Sequence, residues 1–317
     1  MKQLLITSTL CLFSSLVWAG EQIDRTLEAA ASGYVEIEHV NGYATIRGWD
    51  KNQVQVKGEL GDKTDEFIFE RDGNEVVIKV EVEKRRGSWT NWGNDDGDKL
   101  EIFVPIGSRV SYTSTNADVE VKDINGGASI ETVNGEIDVS ALQGRVRLEA
   151  VNGDINATDL AGDVKIETVN GDIKDRNTRA TDVTYESVNG DIDVQAEVEE
   201  FRAETVNGDM ELNLGTVKLL NVNTVNGSIE TQMTLARKAD VRATSVGGKI
   251  ELGFRGDVSA HFDIEAHAGG SISNGLSDDR ENKAKYGPGR WLEFSVGGGD
   301  GKVDVSTVSG RIKLVRL

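Results

Sequence analysis

The sequence predicts an all-β protein built as a parallel β-solenoid of about 18 residues per coil, with β-hairpin caps. Three observations carry this. Val-Asn-Gly recurs at 133–135, 151–153, 169–171, 188–190, 206–208 and 225–227, in steps of 18, 18, 19, 18 and 19 residues. A finer grain of nine shows in Gly126, Gly135, Gly144, Gly153, Gly162 and Gly171. Composition agrees: 36 glycines and two prolines in 317 residues, with Val, Ile, Thr and Asp abundant, describe many short strands and turns and no amphipathic helix.

Taken in order, the first segment, 1–19, reads as a secretory leader. Lys2 supplies positive charge, 4–17 is apolar or small, and Val17-Trp18-Ala19 presents small residues for cleavage before Gly20. The apolar run is shorter than the ~20 residues of a membrane span. Cys11 lies within this leader and Leu10 precedes it, so it does not read as a lipid-attachment cysteine; the mature chain then has no cysteine and no disulfide.

The segment 33–115 reads as an N-terminal β region and cap. Tyr34-Val35-Glu36-Ile37-Glu38 and Gln53-Val54-Gln55-Val56-Lys57 alternate apolar with polar, as half-buried strands do. The runs 67–70 and 75–80 flank Asp72-Gly73, a hairpin turn because both residues tolerate positive φ. Leu100-Glu101-Ile102-Phe103-Val104-Pro105 is a further strand, closed by a residue with no amide donor. A polar loop at 84–98 carries Trp89 and Trp92.

The repeat tract occupies 116–252. Its unit is clearest from Gly162 through Glu167-Thr168-Val169-Asn170-Gly171-Asp172-Ile173, and Ser245-Val246-Gly247-Gly248-Lys249-Ile250 is a degenerate copy. A C-terminal β region and cap, 253–317, includes a polar segment at 277–289. It ends in Thr307-Val308-Ser309-Gly310-Arg311-Ile312, one more copy of the unit.

Nine plus nine residues also suit an antiparallel meander. A single-layer meander of this length would wet both faces, whereas stacked coils enclose an apolar interior. Two aligned columns support stacking: Ile137, Ile155, Ile173, Ile192, Met210 and Ile229, and Val133, Val151, Val169, Val188, Val206 and Val225. The decisive distance is between Asn152 and Asn170, one strand spacing apart in a solenoid and two in a meander. In the corner, Gly is expected to supply positive φ, and stacked Asn to pass amide hydrogen bonds from coil to coil.

A formal charge of −19 argues against nucleic acid or anionic lipid as partners, since both require clustered Lys and Arg. Asp154, Asp172, Asp191 and Asp209, and likewise Glu131, Glu149, Glu167, Glu186 and Glu204, would stack coil over coil. Like charges at that spacing repel by ~1 kcal/mol per pair in water. The glycine-rich nonapeptide of calcium β-rolls is absent, so these columns read as solvated faces and no metal site is expected.

The repeated Glu-Thr-Val-Asn-Gly-Asp-Ile unit at 131–137, 149–155, 167–173 and 204–210, the strand at 100–105 and the ending Gly299-Asp300-Gly301-Lys302-Val303-Asp304-Val305 together resemble the bacterial β-strand-repeat family of adhesin-like proteins of unknown function. The resemblance covers nearly all of the mature chain. It implies an exported β-solenoid-like protein of the cell envelope and supplies no catalytic residues. The tryptophan loop looks like an addition to the family's pattern.

Catalytic, cofactor and metal sites are not expected. His39, His261 and His267 belong to no ligand or triad motif, although His261 and His267, six residues apart, share a strand face. The run 297–302 lacks the hydroxyl residue and the helix of a phosphate loop and reads as a turn. Trp89 and Trp92 are the candidate ligand-binding residues, because flat aromatic faces suit sugar rings or a partner surface.

The expected function is a non-enzymatic, exported binding or structural module that contacts an envelope protein or a glycan. It is placed in the periplasm by default, or at the cell surface or outside the cell. The second reading is a periplasmic regulatory or scaffolding protein, and the third a polysaccharide-active β-helix enzyme. Oligomeric state is not legible.

Overall fold

In the structure, a computed structural model, residues 20–82 and 97–317 are described. They contain strands and turns and no helix. Successive repeat units pair in parallel and in register: Ile137↔Ile155↔Ile173↔Ile192↔Met210↔Ile229↔Ile250↔Ile312 along one wall, and Asn134↔Asn152↔Asn170↔Asn189↔Asn207↔Asn226 along the corner. Asn152 and Asn170 are direct partners on neighbouring strands, so the chain is a solenoid and not a meander.

Most coils are a long bent strand, for example Ile192–Asn207 or Met210–Asn226, interrupted by the Gly-Asp step of the Asn-Gly corner, while Ile155–Thr158 and Ala161–Asn170 are split at the opposite corner as well. At the opposite corner the backbone turns through a residue in the left-handed region: Asp123, Ala141, Asp159 and Asn177 have φ between 54° and 61°. Irregular coil length is absorbed here. Gly162 pairs with Ala180 and Asp163 with Asp182, leaving Thr181 over. Further register shifts fall at Ala196/Glu200 and Asn213/Thr216. The Asn-Gly corner keeps its register through all of them.

The parallel stack extends toward the N-terminus through Arg109–Ile124 into Tyr34–Trp49. Beyond these lie antiparallel pairs: Thr64–Asp72 with Glu75–Val82 around Gly73 (φ 58°), and Gln22–Glu28 with Gln53–Glu59. At the other end Ala260–Ala266 pairs antiparallel with Arg290–Val296. The final copy of the unit does not end the stack. Gly301–Thr307 slots between Ile229–Gly247 and Ala260–Ala266, and Arg311–Arg316 between Lys249–Phe254 and Ser271–Asn274. Both open edges are thus occupied by antiparallel or short strands, which blunts edge pairing.

The isoleucine column is fully buried, with Val139, Leu142, Val146 and Leu148 and their equivalents completing one continuous core. Tyr185 and Phe201 fill its middle, and Phe254, Phe262 and Phe294 its C-terminal end. The valine column departs from expectation. Val133, Val151, Val169, Val188, Val206 and Val225 face outward, each 40–43 % exposed, and the buried position beside them is the preceding residue, a hydroxyl in every one of these coils except that of Ala150. Ser114, Thr132, Thr168, Ser187, Thr205, Thr224 and Ser245 form that inner column, and Thr168 and Thr205 donate to the carbonyls of Gly153 and Gly190 at 3.3 Å. The reason is strand parity: Ile166 points in, so Thr168 points in and Val169 points out.

The corner glycines also serve otherwise than expected. Among the Val-Asn-Gly glycines only Gly135 has a positive φ. What the corner demands is close approach. A Cβ on Gly153, Gly171, Gly190, Gly208 or Gly227 would stand 1.8–2.1 Å from the carbonyl oxygen of the glycine one coil below.

Candidate binding surface

Two ladders fix the outer corner. Each asparagine donates from Nδ2 to Oδ1 of the asparagine below, at 2.8–3.0 Å from Asn116→Asn41 through Asn226→Asn207. Beside them the aspartates are ladder members too. Oδ1 of Asp118, Asp154, Asp172, Asp191 and Asp209 accepts the backbone N–H of the matching residue in the next coil at 2.7–2.9 Å. The sequence reading took the aspartates as merely solvated. Their regular place one residue past the corner glycine was the available signal.

Next to these ladders runs a groove of ≈ 750 Å³ along the stack, floored by the hydroxyl column and walled by two outward rows. One row is the valines. The other is Glu131, Glu149, Glu167, Glu186 and Glu204, stacked in register and followed by Asn223. Partial burial, followed by the charges of Glu167 and Glu131, pushes the Glu149 carboxyl up. Burial likewise raises Glu186, against the opposing pull of Lys165. Lys165 sits 2.8 Å from Glu167, and Arg147, its partner one coil below, also pulls on Glu149. The groove therefore joins an apolar rail to an under-neutralised anionic rail.

Trp89 and Trp92, the ligand candidates of the sequence, lie outside the described residues. His261 stands on the strand Ala260–Ala266 and His267 just past its end, and the two work separately. His261 Nδ1 is 3.0 Å from Ser295 Oγ and its Nε2 3.5 Å from Glu293, while His267 Nε2 is 3.4 Å from Glu265. Among the described residues no three His, Cys, Asp or Glu side chains converge as metal ligands. No described helix is long and apolar enough to cross a membrane.

His39 has a different role. It occupies the hydroxyl column one coil before Ser114, with Nδ1 3.0 Å from the Tyr112 hydroxyl and Nε2 3.3 Å from Asp98 Oδ2. Asp98 Oδ1 accepts from the Gly61 N–H at 2.7 Å and the Thr64 hydroxyl at 2.6 Å. Burial pushes the Asp98 carboxyl up, but hydrogen bonds from His39, Thr64 and Gly61 outweigh it and hold it below its ordinary value. His39, Tyr112 and Asp98 are all buried, so the trio braces the N-terminal end. A second buried acid, Asp175, takes bonds from Tyr185 and, at 2.7 Å, from Thr178 inside the core.

This geometry defines a class: an in-register parallel β-solenoid whose outer corner carries polar ladders beside a continuous groove. The chain belongs to the Toastrack family (DUF4097), which it matches over residues 36–315. No curated protein matches it. Solved structures similar to it include a "putative cell adhesion protein" from Clostridium sporogenes ATCC 15579 (8% identity, 94% of this chain and 100% of that chain covered, TM-score 0.26). Two more are a "putative lipid binding protein" (12%, 93% and 97%, TM-score 0.42) and a "putative adhesin" (11%, 93% and 98%, TM-score 0.42), both from Parabacteroides distasonis ATCC 8503.

Proposed function

We propose that this protein is a non-enzymatic binding module, exported to the cell envelope by its N-terminal leader, that holds an elongated protein partner in the valine–glutamate groove. The observation behind this reading is the outward valine row. Six successive coils place an apolar side chain on the surface at the same site and leave it about two-fifths exposed, although the chain otherwise sorts apolar in and polar out. Covering such a row removes apolar area from water at roughly 25 cal/mol per Å².

The glutamate row selects the partner's chemistry. A segment that carries apolar groups flanked by Lys or Arg satisfies both rails at once, because cations landing beside Glu149 and Glu186 offset the repulsion of neighbouring glutamates, which adds to burial in raising their carboxyls. A second copy of this chain would set glutamate against glutamate, and nucleic acid or anionic lipid would be repelled.

The test uses Val169→Ser, Val188→Ser and Val206→Ser together, positions whose exposure lets the fold stand, and a synthetic amphipathic Lys-rich peptide as probe. Binding to the wild type that weakens at high salt and is lost in the triple variant supports the groove. Equal binding by both proteins refutes it. Protease treatment of intact cells then separates an adhesive module at the surface from a regulatory one in the periplasm.

A further inference from the structure

Asn-Gly is the dipeptide most open to spontaneous deamidation. The glycine amide nitrogen, once it sheds its proton, attacks the asparagine Cγ. Ammonia leaves, a five-membered imide forms, and water opens it to aspartate or isoaspartate. Glycine favours the attack because no Cβ obstructs it. The reaction needs two free groups: the glycine N–H and the side-chain amide.

In the corner both are engaged. Gly135, Gly153, Gly171, Gly190 and Gly208 donate their N–H to the asparagine carbonyl of the next coil at 3.1 Å, and the preceding asparagine donates its Nδ2 to the coil below. Gly227 N–H is held at 3.3 Å by Gly247. At the C-terminal end, Gly275 N–H bonds Leu314 at 2.9 Å and Asn274 Nδ2 bonds Ser277 Oγ at 2.9 Å. Gly42 lies within a strand paired on both sides, and Asn41 Oδ1 accepts from Asn116.

Asn125-Gly126 is different. It sits in the bend between Arg109–Ile124 and Ala128–Asn134, outside the ladder. Asn125 is exposed, and its own backbone N–H is held by Ile106 at 2.7 Å. Among the described residues, neither its side chain nor the Gly126 N–H makes a hydrogen bond. The ladder asparagines are equally exposed, so exposure does not distinguish them. The hydrogen bonds do.

We propose that Asn125 is the site of spontaneous deamidation in this protein, and that hydrogen bonding in the stack keeps the ladder Asn-Gly pairs chemically inert. Freeing a ladder glycine requires opening a coil-to-coil bond and its neighbour, which slows attack by at least about tenfold relative to Asn125. The full chain is incubated in mildly alkaline buffer, native and in urea, and each Asn-Gly peptide is followed by mass spectrometry.

The expected native result is conversion at Asn125 while Asn152, Asn170 and Asn189 lag by about tenfold or more, with all four rates converging in urea. Asn125→Gln should remove the fast native conversion and leave the ladder rates as they were. Native conversion of Asn125 no faster than the ladder, or ladder rates that are the same folded and unfolded, would overturn the proposal.

Discussion

Asn170 and Asp175 show how single residues serve the stack. Asn170 donates to Asn152 at 2.9 Å and accepts from Asn189 at 2.8 Å. Asn170→Leu removes both bonds and sets an apolar side chain on the surface, which should cost about 1–2 kcal/mol and lower Tm by a few degrees in a thermal melt. An unmoved Tm would mean that the amide ladder contributes nothing at that coil. Asp175 stands where its neighbouring coils have Ala157 and Val194. Burial, only partly offset by bonds from Tyr185 and Thr178, pushes its carboxyl up to about 6 from an ordinary 3.8. Folding therefore favours the protonated form. Its contribution is full below about pH 4 and is lost as pH rises through 6, a change on the order of 3 kcal/mol. Denaturant titrations of wild type and Asp175→Asn across that window should diverge, with the wild type losing stability relative to the variant as pH rises. Parallel curves would refute it.

At the level of the element, the corner is governed by contact between backbones. Gly171→Ala would put a Cβ 2.1 Å from the Gly153 carbonyl and force two coils apart. A loss of about 3 kcal/mol is expected. Gly73, in the hairpin, is the control: its φ is 58° but nothing lies within 4 Å of a Cβ there. Gly73→Ala should thus cost only the ~1–2 kcal/mol of a left-handed alanine. Equal losses in urea unfolding would put the corner's requirement back on dihedral freedom. Much of this element was legible beforehand. The 18-residue step gave the coil, and the isoleucine and asparagine columns lie where the spacing put them. The outward valine was misread because Thr168 and Val169 both suit an inner position by size, and only the parity running from Ile166 decides between them. Close approach of the glycines was hidden because sequence shows that glycine is required and not why. Aspartate in the second ladder looked like any surface acid.

The whole molecule is an acidic rod carrying −19, with its glutamates in file. Screening should therefore help it more than it harms the scattered surface ion pairs, such as Arg202 with Asp182. Tm is expected to rise between low and high sodium chloride, and a fall would mean that those pairs outweigh the file. The end regions were the least legible part. Antiparallel strands there announce themselves by hairpin turns, but nothing local reveals that 301–307 slips back between earlier coils. Odd-length repeats are all reconciled at one edge, where Thr181 bulges out while the asparagine edge keeps time. That edge is where this architecture can accept grafted sequence: a short polar insert after Thr181 would leave every rung opposite it unshifted, so the molecule can change what it displays on one side without renegotiating the other.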